Sequence, residues 1–404
     1  MPDLGVKIGL IGKLDMLKFK NMKKVREQAI QAAPAKEIVG TFPINENAKK
    51  LHPDYCDLVI DEIIDHGTAA SKTFVLKSRD GKPLPYFRAG MYINLKLSMD
   101  GSLVTRSYSL CSAPKLALQG KYAITVRSNP GGFVADRLLA EMKVGDGIIS
   151  TCPQGFFFYD RLRDAKTVIG VAGGSGITPF LSMAEAIQDG TENFKLILLF
   201  GSRDEGNILF KKELDEIAAK TDKFKVVHVL SDEEKEGYEH GFISADIIQK
   251  YAPAGEDYSV FLCGPEAMYK FLKPEIEKLG LPERRFRRKL IDVTKTPWEC
   301  EGYPAEAKGK SFSVKVKQGP NEYDISASAD EPVLVAFERA GIKAPSRCRS
   351  GECGWCRSRL LSGDVFIPEE NEMRRWADKE YGYIHPCSSF PLSDLVIEVP
   401  GEFF

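Results

Sequence analysis

The stretch CRSGECGWC at 348–356, followed by IHPCSSF, sets out Cys348-x4-Cys353-x2-Cys356 and then, thirty residues on, Cys387. Few patterns constrain a fold more tightly. Four thiolates that serve one centre require a close-wound loop and a later segment that returns to it. The spacing is that of plant-type [2Fe–2S] ligation, C-x4-C-x2-C…C. Gly351 and Gly354 suit a loop whose amide N–H groups must approach the sulfurs closely. A zinc knuckle is the alternative, but zinc usually takes paired C-x2-C units or histidines. Here there is one C-x2-C, and His385 is the only nearby histidine.

The rest of the chain says where such a centre would survive. Nine cysteines are an odd number, and Cys56, Cys111, Cys152, Cys263 and Cys300 are scattered. The N-terminus is too charged for a signal peptide, and no apolar run approaches the roughly 20 residues of a membrane span. A reducing cytoplasm is expected, where disulfide frameworks are rare. The net charge of −1 points to neither nucleic acid nor membrane. With 404 residues, two or three domains are expected.

Texture divides the chain. Residues 1–52 form an extension, with ten Lys/Arg against five Asp/Glu in the first fifty. In it LDMLKFKNMKKVREQAIQAA predicts a helix ended by Pro34, either a cap on the next domain or a docking element for an acidic partner. Residues 53–160 hold six β-rich runs (CDLVIDEII, SKTFVLKS, AGMYINLKL, RSYSLCSA, KYAITVRS, GIISTCP), which predict an antiparallel barrel. Residues 161–290 alternate apolar strands (KTVIGVAGG, KLILLFGS, KFKVVHVLS, YSVFLCG) with helices, the pattern of a doubly wound parallel sheet. In ITPFLSMAEAIQDG, Thr178 is the expected N-cap and Pro179 the first helical residue. Residues 291–310 read as a linker. Residues 311–404 open with two strands and a helix, DEPVLVAFERAG, capped by Asp330, before the cysteine loop.

CRSGECGWC, LLSGDVFIPEE and HPCSSFPLSDLVIEVP closely resemble the ferredoxin module of multicomponent oxygenase reductases, over all of 311–404, which implies an α+β, β-grasp plant-type ferredoxin domain there. RSYSLCSAP at 106–114 resembles the R-x-Y-S motif of the ferredoxin–NADP reductase superfamily. That resemblance implies that Arg106 contacts a flavin phosphate, Tyr108 packs on the isoalloxazine and Ser109 hydrogen-bonds near flavin N5. It also implies flavin contacts from Val126 and from Gly131, Gly132, Phe133, Val134 and Ala135. Ala135 departs from the family's Ser or Thr and removes one side-chain hydrogen bond to phosphate. FAD is expected, with FMN the alternative. The aromatic that often covers the flavin is missing; Leu290 stands in its place, with Trp298 a candidate substitute.

GVAGGSGITPF follows a strand and opens a helix. It lacks the third glycine of G-x-G-x-x-G and resembles the superfamily's own nucleotide loop. Gly173, Gly174, Gly176 and Thr178 are then expected at the nicotinamide coenzyme, with Cys263, Gly264 and Pro265 beside them. Cys263 would lie by the nicotinamide C4, which makes Ser109 and Cys263 the expected catalytic pair. Ser202 and Arg203 suit a 2′-phosphate and so NADPH, whereas NILFKKEL resembles NADH-linked relatives; NADH is expected.

The domain order resembles the phthalate dioxygenase reductase-like family. It implies hydride passing from NAD(P)H to flavin and single electrons passing through Cys348, Cys353, Cys356 and Cys387 to a partner protein. An oxygenase or hydroxylase is the expected acceptor. A non-oxygenase metalloenzyme of an anaerobe, or a redox-sensing binding module, are the alternatives. Arg347, Arg349, Arg357 and Arg359 surround the ligands in a module that has eleven Lys/Arg against fifteen Asp/Glu. They either offset the cluster's charge or meet an acidic partner.

Overall fold

The computed structural model describes residues 22–33, 42–68, 70–128, 132–290 and 293–401. Its chain divides into two compact units, Met1–Lys50 and Leu51–Phe404. In the first, helix α1 spans Met22–Ala32, and α2 begins at Pro43 and runs Pro43–Leu51. Met22, Val25 and Ile30 on α1 are exposed. The earlier part of the predicted helix, and Pro34, lie outside the described residues.

The second unit opens with β1 (Tyr55–Asp65), β2 (Ser71–Ser78), β3 (Tyr92–Met99), β4 (Ser102–Ser109), β5 (Lys121–Arg127), helix α3 (Ala135–Glu141) and β6 (Gly147–Thr151). The strands pair antiparallel in the order β4-β3-β6-β1-β2-β5. A bridge between Leu110 and Ile124 joins the two edges and closes the barrel. Period-two alternation sends Leu58, Ile60, Leu76, Ile93, Leu95 and Ile124 inward, all nearly fully buried. RSYSLCSA is a strand only to Ser109. Its strand starts earlier than expected, at Ser102, because Asp100 (φ 50°) and Gly101 (φ 78°) make a two-residue hairpin turn out of β3.

Next come β7 (Thr167–Gly173), α4 (Thr178–Gln188), β8 (Lys195–Ser202), α5 (Lys211–Lys220), β9 (Phe224–Leu230), β10 (Glu239–His240), α6 (Ala245–Tyr251), β11 (Tyr258–Cys263), α7 (Glu266–Lys278) and β12 (Phe286–Lys289). The strands form one parallel sheet, β10-β9-β8-β7-β11-β12. Alternate residues of β7 and β8 feed two cores. Val168, Ala172, Leu198 and Phe200 pack with α4 and α5; Ile169, Val171, Ile197 and Leu199 pack with α6 and α7. Both faces are covered, so these strands read as continuous apolar runs. The helix after β7 differs from expectation by one residue. Thr178 is already helical, a 3-10 turn over Gly174–Ile177 leads into it, and its hydroxyl donates to Ser175 O (3.0 Å) rather than capping.

The chain ends with β13 (Ser311–Gln318), β14 (Asn321–Ser328), α8 (Val333–Arg339), β15 (Ser358–Ser362), β16 (Val365–Phe366), α9 (Trp376–Glu380), β17 (Tyr383–Ile384), β18 (Phe390–Pro391) and β19 (Leu395–Glu398). A mixed sheet, β14-β13-β19-β15-β17, packs against Val333, Leu334, Ala336 and Phe337 of α8. Asp330 does not cap α8, which follows Pro332 without a side-chain cap. The Asp330 carboxylate accepts instead from Gly309 N (3.1 Å) and Tyr303 Oη (3.4 Å). Val293, Tyr303 and Ala307 pack with Ala329, Phe366 and Phe390, and Trp298 joins this cluster. Among the described residues no helix is long and apolar enough to cross a membrane.

Candidate functional site

Strand β4 carries the R-x-Y-S stretch along the barrel edge, in register with β3: Arg106 opposite Leu95, Tyr108 opposite Ile93, Ser109 opposite Tyr92. Burial pushes the Tyr108 phenol up to about 12, against the opposing Arg106 charge. Val126 is enclosed in the barrel core, so only its main chain is available to a ligand. Gly131 lies outside the described residues. Val134 precedes α3, whose first residue is Ala135; Phe133 is exposed, with the Arg137 guanidinium 5.7 Å over its ring. Asp136 in the first turn of α3 accepts from Ser128 Oγ (2.7 Å). That carboxylate opposes an anion at this turn, so a phosphate there would depend on its main-chain amides.

Strand order in the parallel sheet reverses between β7 and β11, the crevice where open α/β sheets take ligands. The glycines make this crevice possible. A Cβ on Gly176 would stand 2.1 Å from the Cys263 carbonyl oxygen, and one on Gly173 or Gly264 would stand 2.5 Å from Met268 Sδ. Gly174 adopts φ 53° beside the Arg127 guanidinium. Cys263 ends β11 fully enclosed, and burial pushes its thiol up to about 12 while Lys289 opposes. Pro265 caps α7. Ser202 Oγ is buried with no hydrogen-bond partner, and Arg203 is exposed beside it. Arg127, at the end of β5, was missed by sequence reading. Burial and the nearby Arg203 charge lower its pKa, so two guanidiniums gather where Gly174 turns. A polar residue closing a strand has no pattern to mark it, so sequence alone offered no signal.

The cysteine loop brings Cys348, Cys353, Cys356 and Cys387 together. Cys356 Sγ and Cys387 Sγ are 3.4 Å apart, and the Cys353 and Trp355 amides donate to Cys348 Sγ and Cys353 Sγ, each at 3.4 Å. Hydrogen bonds from the Cys353 and Cys387 thiols, then the Ser350 and Cys353 amides, hold Cys348 well below the usual thiol range. Arg349, Gly351 and Gly354 take positive φ (60°, 84° and 67°) to turn these amides inward. A Cβ on Gly351 would meet Asn371 O at 2.5 Å. Among the described residues no group of three or more His, Cys, Asp or Glu side chains is spread to surround a metal ion. The thiols touch each other instead. Four sulfur donors on a loop that aims amides at them nonetheless match the needs of an iron–sulfur centre. The His385 ring instead braces the loop, Nδ1 lying 2.7 Å from Gly351 O.

The loop meets the barrel at β3–β4. Ser107 Oγ lies 2.9 Å from Arg347 O and 2.8 Å from Asn94 Oδ1. Arg347 donates to Gln154 Oε1 (3.0 Å) and its guanidinium lies 3.5 Å over the Trp355 ring. Gln154 Nε2 is buried without a partner, and Gln154 bridges Tyr92 through the main chain. Burial, then the Cys348 and Cys353 charges, raise the Tyr92 phenol. On α8, Glu338 accepts from Arg349 (2.6 Å) and from Arg106 (3.5 Å). Arg357 is committed to Asp378 at 3.1 Å.

Sequence models of three families match this chain: an oxidoreductase FAD-binding domain over residues 56–159, an oxidoreductase NAD-binding domain over 171–273, and a 2Fe-2S iron-sulfur cluster binding domain over 316–392. The glycine betaine monooxygenase reductase subunit of Chromohalobacter salexigens is 27% identical over 362 residues, 86% of this chain and 95% of that one. NADH-cytochrome b5 reductase 1 of Candida glabrata is 31% identical over 241 residues, 58% of this chain and 82% of that one. The solved structure of phthalate dioxygenase reductase, described as modular for electron transfer from pyridine nucleotides to [2Fe–2S], superposes with a TM-score of 0.61 at 25% identity. It covers 89% of this chain and 100% of that one.

Proposed function

Because the chain belongs to the ferredoxin–NADP reductase superfamily, with FAD-binding, NAD-binding and C-terminal 2Fe-2S domains, we propose that it is the reductase component of an oxygenase or hydroxylase system. Electrons would run from NAD(P)H to flavin, to the cluster, to the partner protein. The named activities of its relatives support this acceptor. Nine free cysteines suit a reducing compartment, and we place the protein in the cytoplasm.

In this reading the flavin supplies the conversion of a hydride into single electrons. The chain's residues do the rest. Arg106 offers a guanidinium fork to a flavin phosphate, Tyr108 an aromatic face, Ser109 a hydroxyl near N5 and Gln154 Nε2 an unspent donor. Gly173, Gly174 and Gly176 let the coenzyme approach the switch-point crevice, with Cys263, Gly264 and Pro265 on its far side. Ser202, Arg203 and Arg127 offer polar and cationic groups to the nucleotide. Cys348, Cys353, Cys356 and Cys387 hold the cluster.

The observation that carries the proposal is the junction itself. Arg347, one residue from a cluster ligand, bonds through its carbonyl and guanidinium to Ser107 and Gln154 of the flavin barrel. The cluster loop is thereby held against the strand pair that carries the flavin motif, as direct transfer requires. Cys353→Ser should remove the cluster and reduction of cytochrome c while leaving NADH-to-ferricyanide activity through the flavin. Joint loss of both activities in a protein that still binds flavin would refute the electron order.

A further inference from the structure

Lys289 ends β12 and is buried, 8% exposed. An ammonium taken out of water has three donors to satisfy and is costly to leave poorly matched. Lys289 Nζ donates to the Gly90 carbonyl (3.1 Å) and stands 5.0 Å over the Tyr92 ring. Among the described residues no carboxylate lies within ion-pair distance of it. Its place is the meeting point of three sites. Strand register sets Lys289 beside Cys263 at the switch-point crevice. Gly90 lies in the turn that leads into β3, and Tyr92, the first residue of β3, faces Ser109. Burial disfavours its ammonium form, while the Cys263 side chain and then Glu352 of the cluster loop favour it.

Hydride transfer at such a place moves charge. The C4–H bond of the dihydronicotinamide breaks, and the hydrogen leaves with its electron pair for flavin N5. The nicotinamide ring becomes a cation and the flavin ring gains a negative charge. A fixed buried cation repels the first product and attracts the second. Resting on the flavin–nucleotide reading above, we propose that Lys289 is a charge-setting residue that drives this transfer forward: it disfavours bound NAD+ relative to NADH and stabilises the reduced flavin. Burial lowers the Lys289 ammonium to about 8, so it remains mostly charged at neutral pH. Its sequence neighbours do not share the task. Arg287 is committed to Asp164, and Arg288 to Glu370.

The test uses the full flavin-loaded chain with Lys289→Gln, which keeps a donor for Gly90 O and removes the charge, and Lys289→Arg, which keeps the charge. NAD+ affinity is read from perturbation of the oxidised flavin spectrum, and the flavin midpoint from an anaerobic redox titration. Lys289→Gln should bind NAD+ about tenfold more tightly, the order of one screened unit-charge interaction. Its flavin midpoint should fall by about 30 mV if the flavin loses a tenfold preference. Lys289→Arg should stay near wild type. NAD+ affinity and midpoint both unchanged in Lys289→Gln would overturn the proposal.

If Lys289→Gln does not hold flavin, wild type and Lys289→Arg are compared for NAD+ binding at pH 6.5 and 9.5. Wild type should tighten at high pH and Lys289→Arg should not; equal pH dependence would overturn the proposal. The other titratable or charged groups facing Lys289 are Cys263 on β11, Tyr92 on β3, Tyr269 on α7, Arg288 on β12 and Glu352 in the cluster loop. They are common to both proteins and cancel in the comparison. A wild-type flavin that neither NADH nor NADPH bleaches would defeat the underlying functional reading instead, so the two failures are distinct.

Discussion

Gly176 has no room for a methyl group, because its Cβ would fall 2.1 Å from a main-chain oxygen that cannot rotate away. Gly176→Ala should therefore push the nucleotide loop off the end of β11. The expected outcome is a coenzyme KM raised at least about tenfold and a loss of about 1–3 kcal/mol in stability, with flavin and cluster absorbance retained. Steady-state kinetics and a thermal melt would check it. Arg203 is exposed beside the buried, unpartnered Ser202 hydroxyl. Arg203→Ala should lower NADPH turnover and spare NADH turnover; equal loss with both would remove it from 2′-phosphate binding. These glycines and cysteines were legible in the sequence because their chemistry is position-specific: a tight approach admits only glycine, and a cluster only thiolates. Arg127 and Lys289 were not legible. A cation in a strand reads as a solvated one, and only the fold shows which are enclosed.

At the scale of elements, β12 shows why part of the fold was missed. In FRRK the buried positions are Arg287 and Lys289, so its alternation is the inverse of a normal half-buried strand. Arg287 is held by Asp164 through Nε (2.9 Å) and Nη2 (2.7 Å), and the two side chains are 7% and 0% exposed. Asp164→Asn leaves the guanidinium buried and unmatched, and should cost about 3–5 kcal/mol, read as a lower midpoint of thermal flavin release. The Asp100–Gly101 turn was, by contrast, a hairpin signal open to reading, and it explains the early start of β4.

Helix α4 carries a pH effect into the junction with the barrel. Burial raises the Glu185 carboxyl to about 7, while the Ala113 amide donating to it at 2.5 Å opposes the rise. The unfolded chain ionises this group near its ordinary 4.5, so the native state binds more protons between about 4.5 and 7. Stability therefore falls as pH rises through that window and levels off above it. Glu185→Gln keeps a side-chain oxygen as acceptor and should remove this slope, gaining on the order of 1–3 kcal/mol at pH 8. Thermal midpoints of both proteins at pH 5 and pH 8 would show it.

For the whole molecule, domain order was readable because each domain has its own texture: alternating runs for the barrel, continuous apolar runs for the doubly wound sheet, cysteine spacing for the ferredoxin fold. The way the cluster loop sits on the barrel was not readable. It depends on contacts such as Ser107 to Arg347 and Arg106 to Glu338, between residues more than two hundred positions apart and of types that any surface carries. Those contacts support the central claim that one chain relays electrons from nicotinamide to cluster through flavin. The most direct measurement is an anaerobic titration of the purified protein with NADH and, separately, NADPH, followed by absorbance and EPR. Bleaching of the flavin band, followed by a rhombic reduced-cluster EPR signal, is the expected result. A bleached flavin with no cluster signal, at any amount of coenzyme, would contradict the relay.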